Sequence, residues 1–122
     1  MKGKVLIIDD DPRNIFALAA TLKAKGFQCL SAPSAQEGIA LVKQDKGIKV
    51  VLLDMMMPEM DGYEALGVIR SDEELAGLAV VAVTAQAMVG DREKCLGAGA
   101  DSYVSKPVDV DKLLKIITPH VV

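Results

Sequence analysis

Tryptophan is absent from this 122-residue chain, which also has only two tyrosines, two phenylalanines and one histidine. So few aromatic rings make a platform for stacking nucleic-acid bases unexpected. The net charge of −3 and the lack of a basic run also argue against nucleic-acid binding. Because the single histidine, His120, lies close to the C-terminus, a serine or cysteine nucleophile with a histidine base is implausible.

Three further kinds of signature are missing. No apolar run approaches the roughly 18 residues of a membrane span, and the first residues lack a signal-peptide core, so a cytoplasmic protein without membrane contact is expected. Cys29 and Cys95 lack CxxC spacing, which favours small, reduced apolar side chains over a disulfide or a metal site. No GxxxxGK motif occurs, and no GxGxxG follows a predicted strand, which excludes the common phosphate-binding loops.

Four short apolar runs each lead into residues that can do chemistry. Runs of this length, set between helical patterns, predict buried strands of a parallel sheet. The strand ends of such a sheet share one edge, where open α/β sheets bind ligands, so carboxylates, a hydroxyl and an ammonium group should converge there. The runs are residues 5–8 before Asp9, Asp10 and Asp11, residues 50–53 before Asp54, residues 79–83 before Thr84, and residues 103–104 before Ser105, Lys106 and Pro107.

Helical patterns separate these runs, and most begin at a capping signal. Asp11 before Pro12 is one such signal, and Ser34 followed by Glu37 is another. The predicted helices lie between Pro12 and Gly26, from Ser34 to about Lys43, from Asp61 to near Arg70, from Met88 to Leu96, and from Asp109 to near Pro119, with a further strand from Phe27 to Ala32.

Strict alternation of strand and helix predicts one α/β domain over residues 1–122, with a five-stranded parallel sheet covered by five helices on both faces. A doubly wound sheet of flavodoxin-like order 2-1-3-4-5 suits a chain of this size. That order rests on analogy, because the sequence does not specify which strands are neighbours.

The aspartates at the first and third strand ends are the sharpest chemical signal. Crowded carboxylates repel one another, which raises the pKa of at least one of them unless a cation neutralises the group. Two or three carboxylate oxygens, with room left for water and phosphate, suit Mg²⁺. Asp11 directly precedes Pro12 and is better explained as a helix cap, whereas Asp54 precedes no helix.

A strand-end aspartate such as Asp54 can also act as a nucleophile that accepts a phosphoryl group. Transfer needs positive charge and hydrogen-bond donors around the phosphoryl oxygens, which Thr84 and Lys106 could supply. Taken singly, Thr84 would be an ordinary strand residue and Lys106 an ordinary surface residue. Their joint placement at one edge of the sheet favours a functional role for both. The bond before Pro107 is hypothesised to be cis, which would aim Lys106 where a trans bond would not.

Taken together, these segments resemble the receiver domains of two-component response regulators, the family of the bacterial chemotaxis regulator. The resemblance covers essentially the whole chain, from Lys4 to about Ile117, and the segment DDDPRNIFAL resembles receivers attached to hybrid sensor kinases. The segments that carry it are VLIIDDD, VVLLDMMMPEMDGYEAL, VVAVTAQA and GAGADSYVSKP, followed by the closing amphipathic helix.

The resemblance implies a role for each matching residue. Asp54 would be the phosphoacceptor, in a domain that catalyses only its own phosphorylation and dephosphorylation. Mg²⁺ would be held by Asp9, Asp10, Asp54 and the backbone carbonyl of Met56. Thr84 and Lys106 would contact the phosphoryl oxygens, Tyr103 would follow the movement of Thr84, and Pro58 and Gly62 would shape the loop after Asp54.

The resemblance also implies partners and a switch. The phosphoryl donor would be a phosphohistidine of a sensor histidine kinase or of a histidine phosphotransfer protein. Phosphorylation would change the face formed by the fourth helix, the fifth strand and the fifth helix, which would signal to a downstream protein or an attached output domain. Met56 cannot position a hydrolytic water by hydrogen bonding, although Gln86 could, so a phosphorylated state of moderate to long life is expected.

Other classes of function are still open at this point. A haloacid-dehalogenase-like phosphohydrolase also uses a strand-end aspartate, Mg²⁺, a hydroxyl and a lysine, and the triple aspartate contains a DxD pattern. Against it, Pro12 stands where that family usually has glycine, and no acidic pair follows Lys106. A module of the same fold that works without phosphorylation is a second alternative, although buried carboxylates are costly to retain without a cation. Flavin binding is a distant third.

Overall fold

The structure, a computed structural model, describes residues 3–85 and 88–122. Within these residues no helix combines the length and the hydropathy needed to cross a bilayer. Strands and helices alternate strictly, as predicted. The strands are β1 (Lys4–Ile8), β2 (Gln28–Ala32), β3 (Ile48–Asp54), β4 (Ala79–Thr84) and β5 (Ser102–Ser105). The helices are α1 (Pro12–Ala24), α2 (Ala35–Gln44), α3 (Gly62–Ser71), α4 (Asp91–Gly97) and α5 (Val110–Val121).

All neighbouring strands are parallel, and their order in the sheet is β2-β1-β3-β4-β5. The predicted doubly wound α/β fold is therefore confirmed. Alternate residues of β1 enter different cores, because successive side chains of a strand point to opposite faces. Leu6 and Ile8 pack in a core with α2 and α3, and Val5 and Ile7 pack in a second core with α1 and α5. Both faces of the central strands are covered, which explains their continuous apolar sequence.

The predicted capping signals sit where the helices begin. Asp11 accepts a hydrogen bond from the backbone N–H of Arg13 at 2.9 Å, and the prediction that this aspartate is a cap is confirmed. Ser34, Asp61 and Asp109 cap α2, α3 and α5 by accepting from the backbone N–H three residues later. Each cap satisfies a backbone donor that would otherwise lack an intrahelical partner.

The fourth helix begins later than predicted. It starts at Asp91 rather than at Met88, and it ends at Gly97. Gly90 has φ +85°, a left-handed conformation that an α-helix cannot continue through, and Asp91 N–H closes a turn onto the carbonyl of Met88 at 3.0 Å. Apolar spacing alone did not reveal this break, because Met88 and Val89 are apolar but lie exposed.

The guanidinium of Arg70, at the end of α3, joins three segments at the amino-terminal edge of the sheet. It donates to the carbonyls of Gly99, Ala76 and Leu78 at 2.7–2.9 Å, and to the carboxylate of Asp101 at 2.9 Å. The same carboxylate oxygen accepts the N–H of Val80 at 2.8 Å. This one side chain therefore satisfies backbone acceptors of two loops and links them to the start of β4.

We expect Arg70→Met to lower the free energy of unfolding by about 2 kcal/mol, because partly buried acceptors of charge-assisted hydrogen bonds lose their donor. Urea denaturation followed by circular dichroism measures the change. The matched control is Arg13→Met, whose side chain is 90% exposed in its pair with Asp11 and whose loss should have no measurable effect. Equal effects of the two substitutions would contradict this account.

Candidate functional site

Three carboxylates meet at the carboxyl edge of the sheet. Asp9 and Asp10 follow β1, and Asp54 is the last residue of the neighbouring strand β3. One carboxylate oxygen from each of the three lies within 4.8 Å of the others. Asp9 and Asp54 are only 6% and 5% exposed, whereas Asp10 is exposed. The parallel register produces this cluster, since Ile8 and Leu53 pair directly before the two buried aspartates.

Backbone hydrogen bonds orient the two buried carboxylates. Oδ1 of Asp9 accepts from the N–H of Asp11 at 2.9 Å, and Oδ1 of Asp54 accepts from the N–H of Met56 at 3.0 Å. Each aspartate thus has one oxygen anchored to the loop that follows its strand. The Oδ2 atoms of both face the ammonium group of Lys106.

Lys106 lies between the two buried carboxylates. Its Nζ donates to Oδ2 of Asp9 at 3.1 Å and is 3.6 Å from Oδ2 of Asp54, with the side chain 22% exposed. The backbone N–H of Lys106 donates to the carbonyl of Thr84 at 2.8 Å, which fixes the start of this loop against β4. The peptide bond between Lys106 and Pro107 is cis, so that hypothesis is confirmed.

The electrostatics of the cluster favour a bound cation. Burial raises the pKa of Asp54, and the charges of Asp9 and Asp10 raise it further, while the N–H of Met56 and the ammonium of Lys106 oppose the rise. Burial by itself would lower the pKa of Lys106, but the hydrogen bond that Lys106 donates to Asp9 and the charges of Asp54 and Asp9 outweigh it and raise that pKa. Three clustered carboxylates and one ammonium leave excess negative charge, and oxygen donors of this kind fit a hard cation such as Mg²⁺.

Thr84 and Tyr103 lie on β4 and β5, the two strands beyond β3 in the sheet. Thr84 ends β4 with 2% exposure, next to the strand that ends at Asp54. Tyr103 pairs with Ala82, two residues before the pairing of Thr84 with Ser105. Tyr103 and Ala82 belong to the same core, so the tyrosine lies on the α3 and α4 side of the sheet.

Gly62 lies close to the start of the loop that follows Asp54. The N–H of Gly62 donates to the carbonyl of Met55 at 3.3 Å, and a Cβ at Gly62 would collide with Met55. Met56 is 48% exposed at the rim of the site, and its carbonyl stays a predicted metal ligand. The predicted role of Gln86 falls outside the described residues.

One residue near the site was missed from the sequence. The carboxylate of Asp91, the first residue of α4, accepts hydrogen bonds from the hydroxyls of Tyr103 and Tyr63. An acidic residue in the first turn is common in any helix, so its position gave no signal. The contact joins parts of the chain 12 and 28 residues away, which only the folded structure brings together.

Known proteins resemble this chain in both sequence and structure. The chain is 37% identical to the protein PilH of Pseudomonas aeruginosa, over 94% of each. It is 28% identical to the receiver domain of the sensor histidine kinase PA1611 of the same species, with a TM-score of 0.87 over 99% of this chain and 98% of that one. That receiver was solved with a magnesium ion coordinated in its active-site cleft.

A third similar structure includes a partner. It is the co-crystal structure of the Saccharomyces cerevisiae histidine phosphotransfer signaling protein Ypd1 and the receiver domain of its downstream response regulator Ssk1. Identity is 29% and the TM-score is 0.87, over 98% of this chain and 88% of the other. The sequence also matches the family described as response regulator receiver domain over residues 5–118. The predicted resemblance is thereby confirmed, and the chain belongs to the response regulator receiver domain family of two-component phosphorelay systems.

Proposed function

We propose that Asp54 accepts a phosphoryl group from a phosphohistidine of a sensor histidine kinase or a histidine phosphotransfer protein. The observation that carries the proposal is a buried carboxylate with one oxygen anchored to the N–H of Met56 and the other 3.6 Å from the ammonium of Lys106. A nucleophile held in this way is positioned before the donor arrives, and the adjacent cation is ready for the phosphoryl charge. The co-crystal of Ypd1 with the Ssk1 receiver supports the class of partner.

In the proposed transfer, Oδ2 of Asp54 is the attacking oxygen, because Oδ1 is engaged with the N–H of Met56. A bond forms between this oxygen and phosphorus, while the bond from phosphorus to the donor histidine nitrogen breaks and the nitrogen keeps the electron pair. Lys106 donates to a phosphoryl oxygen in the product, and the hydroxyl of Thr84 donates to another. The acyl phosphate is later hydrolysed by water, which returns the carboxylate.

Mg²⁺ is the cofactor proposed for this site, with Asp9, Asp10, Asp54 and the backbone carbonyl of Met56 as its protein ligands. When bound, it would neutralise charge on the carboxylates and on the phosphoryl oxygens. The excess negative charge of the carboxylate cluster supports this assignment, as does the magnesium ion in the similar receiver of PA1611.

The proposed output is a change of surface. Phosphorylation adds negative charge and strong acceptor oxygens next to Thr84 and Lys106. Movement of Thr84 toward them leaves space that Tyr103 can enter, which alters the face of α4, β5 and α5. A downstream protein or an attached output domain would detect this change in the cytoplasm. Nucleic acid and membrane are not among the proposed ligands of this domain.

Acetyl phosphate with Mg²⁺ should add one phosphoryl group to the protein, because the small donor can reach the same nucleophile. Intact-mass spectrometry measures the gain, which should require Mg²⁺ and be lost in Asp54→Asn. The matched control is Asp45→Asn, a part-buried aspartate paired with Lys4 away from the carboxyl edge, which should still be phosphorylated.

If the acyl phosphate is hydrolysed faster than it can be detected, binding of beryllofluoride, which mimics the phosphoryl group, provides a second test. Binding by the parent and not by Asp54→Asn would support the proposal even if no mass gain accumulates. A parent that binds Mg²⁺ but shows neither phosphorylation nor beryllofluoride binding would contradict it, and would favour a module that works without phosphate.

Met56→Asn should shorten the life of the phosphorylated state several-fold, because an amide at the half-exposed rim can orient an attacking water. Met56→Lys should also change the rate, since it places a second ammonium beside the phosphoryl oxygens. Loss of the phosphorylated mass with time, after removal of the donor, gives each rate. Val68→Asn, at a 41% exposed position of α3, is the control and should leave the rate unchanged. Unchanged rates in both Met56 variants would refute the predicted role.

A further inference from the structure

A single carboxylate connects both tyrosines of the chain. The hydroxyl of Tyr103, on β5, donates to Oδ2 of Asp91 at 3.1 Å. The hydroxyl of Tyr63, on α3, donates to Oδ1 of the same residue at 3.4 Å. Asp91 is the first residue of α4, so one side chain links this helix to a strand on one side and to a helix on the other.

The link to Tyr63 is reinforced by further contacts from α4. The ammonium of Lys94 lies 4.5 Å from the centre of the Tyr63 ring, and the sulfur of buried Cys95 lies 3.6 Å from its hydroxyl. Asp91, Lys94 and Cys95 are spaced three and four residues apart, so they share one face of the helix. Tyr63 thus holds α4 to α3 independently of Tyr103.

The link between Asp91 and Tyr103 is a single hydrogen bond from the tyrosine hydroxyl to a carboxylate oxygen. Burial raises the pKa of the Tyr103 hydroxyl, and the hydrogen bond to Asp91 raises it further, so the hydroxyl stays protonated and able to donate at neutral pH. Hydrogen bonds with one charged partner are stronger than neutral ones. Turning Tyr103 toward the space beside Thr84 requires this bond to break.

We propose that Asp91 is a positioning residue of the switch: it holds Tyr103 against α4 in the unphosphorylated protein and so opposes phosphorylation of Asp54. This inference rests on the proposed function, since it concerns the state that phosphorylation would favour. Coupling is reciprocal, so a bond that phosphorylation must break also weakens binding of the phosphoryl group. Because Tyr63 still holds Asp91, loss of the Tyr103 bond changes the side of α4 that faces β5 without freeing the helix from α3.

Asp91→Ala should therefore bind beryllofluoride more tightly than the parent in the presence of Mg²⁺, by about fivefold, the lower end of typical coupling. Tyr103→Phe removes the same hydrogen bond from the other side, and combining it with Asp91→Ala should add little further change. Tyr63→Phe keeps the bond between Tyr103 and Asp91, so its affinity should stay near that of the parent. Titration calorimetry provides the affinities.

Glu93→Ala is the matched control, because Glu93 is the other acidic residue in the first turn of α4 and is exposed. It removes the same charge from the helix start without touching either tyrosine hydroxyl. An affinity change shared by Glu93→Ala and Asp91→Ala would overturn the inference, because it would assign the effect to helix charge. If Asp91→Ala fails to fold, Asp91→Asn and Tyr103→Phe serve as the test, and unchanged affinity in both would also overturn it.

The tyrosines provide a second readout, which is recorded on the variant itself without metal or phosphate. Ring-labelled tyrosine gives NMR signals from only two residues, which Tyr63→Phe and Tyr103→Phe assign. In Asp91→Ala without ligand, the Tyr103 signal should move toward its position in the beryllofluoride complex of the parent. A Tyr103 signal that stays in place would overturn the inference while leaving phosphorylation of Asp54 intact. A parent that binds Mg²⁺ but neither binds beryllofluoride nor becomes phosphorylated would instead refute the proposed function, and with it this inference.

Discussion

An ammonium group between two buried carboxylates is the interaction on which the rest of the site depends. Nζ of Lys106 is 3.1 Å from Asp9 and 3.6 Å from Asp54, and both aspartates are nearly inaccessible to water. Two such carboxylates side by side would be costly without a nearby cation. One ammonium compensates only part of the charge of three aspartates, which leaves the site suited to a metal ion and to a phosphoryl group that brings its own oxygens.

The parallel sheet is what makes this charge arrangement possible. Sheet order places β1 beside β3, so Asp9 and Asp54 end neighbouring strands, and β4 and β5 bring Thr84 and Lys106 to the same edge. Apolar cores on both faces fix the register, because a shift by one residue would send core side chains to the wrong face. The free energy gained by burying the apolar strands thus offsets the free-energy cost of gathering charged groups at the carboxyl edge, as is common at functional sites.

Most of the fold was predictable because local chemistry and global structure agree. Apolar runs specified the strands, and the Asp11, Ser34 and Asp61 caps specified helix starts. The convergence of Asp54 and Lys106 followed from the rule that parallel strands end at one edge. What could not be predicted depends on backbone conformation or long-range contact: the left-handed turn at Gly90 delays α4, and Asp91 meets two tyrosines that lie elsewhere in the chain.

The most direct test of the central claim locates the acyl phosphate itself. After incubation with acetyl phosphate and Mg²⁺, borohydride reduction converts a phosphorylated aspartate to homoserine, and peptide sequencing by mass spectrometry shows its position. The account predicts homoserine at position 54, where the buried carboxylate faces Lys106. Homoserine at position 9 instead would contradict the account and would favour a phosphohydrolase that uses the first strand-end aspartate as its nucleophile.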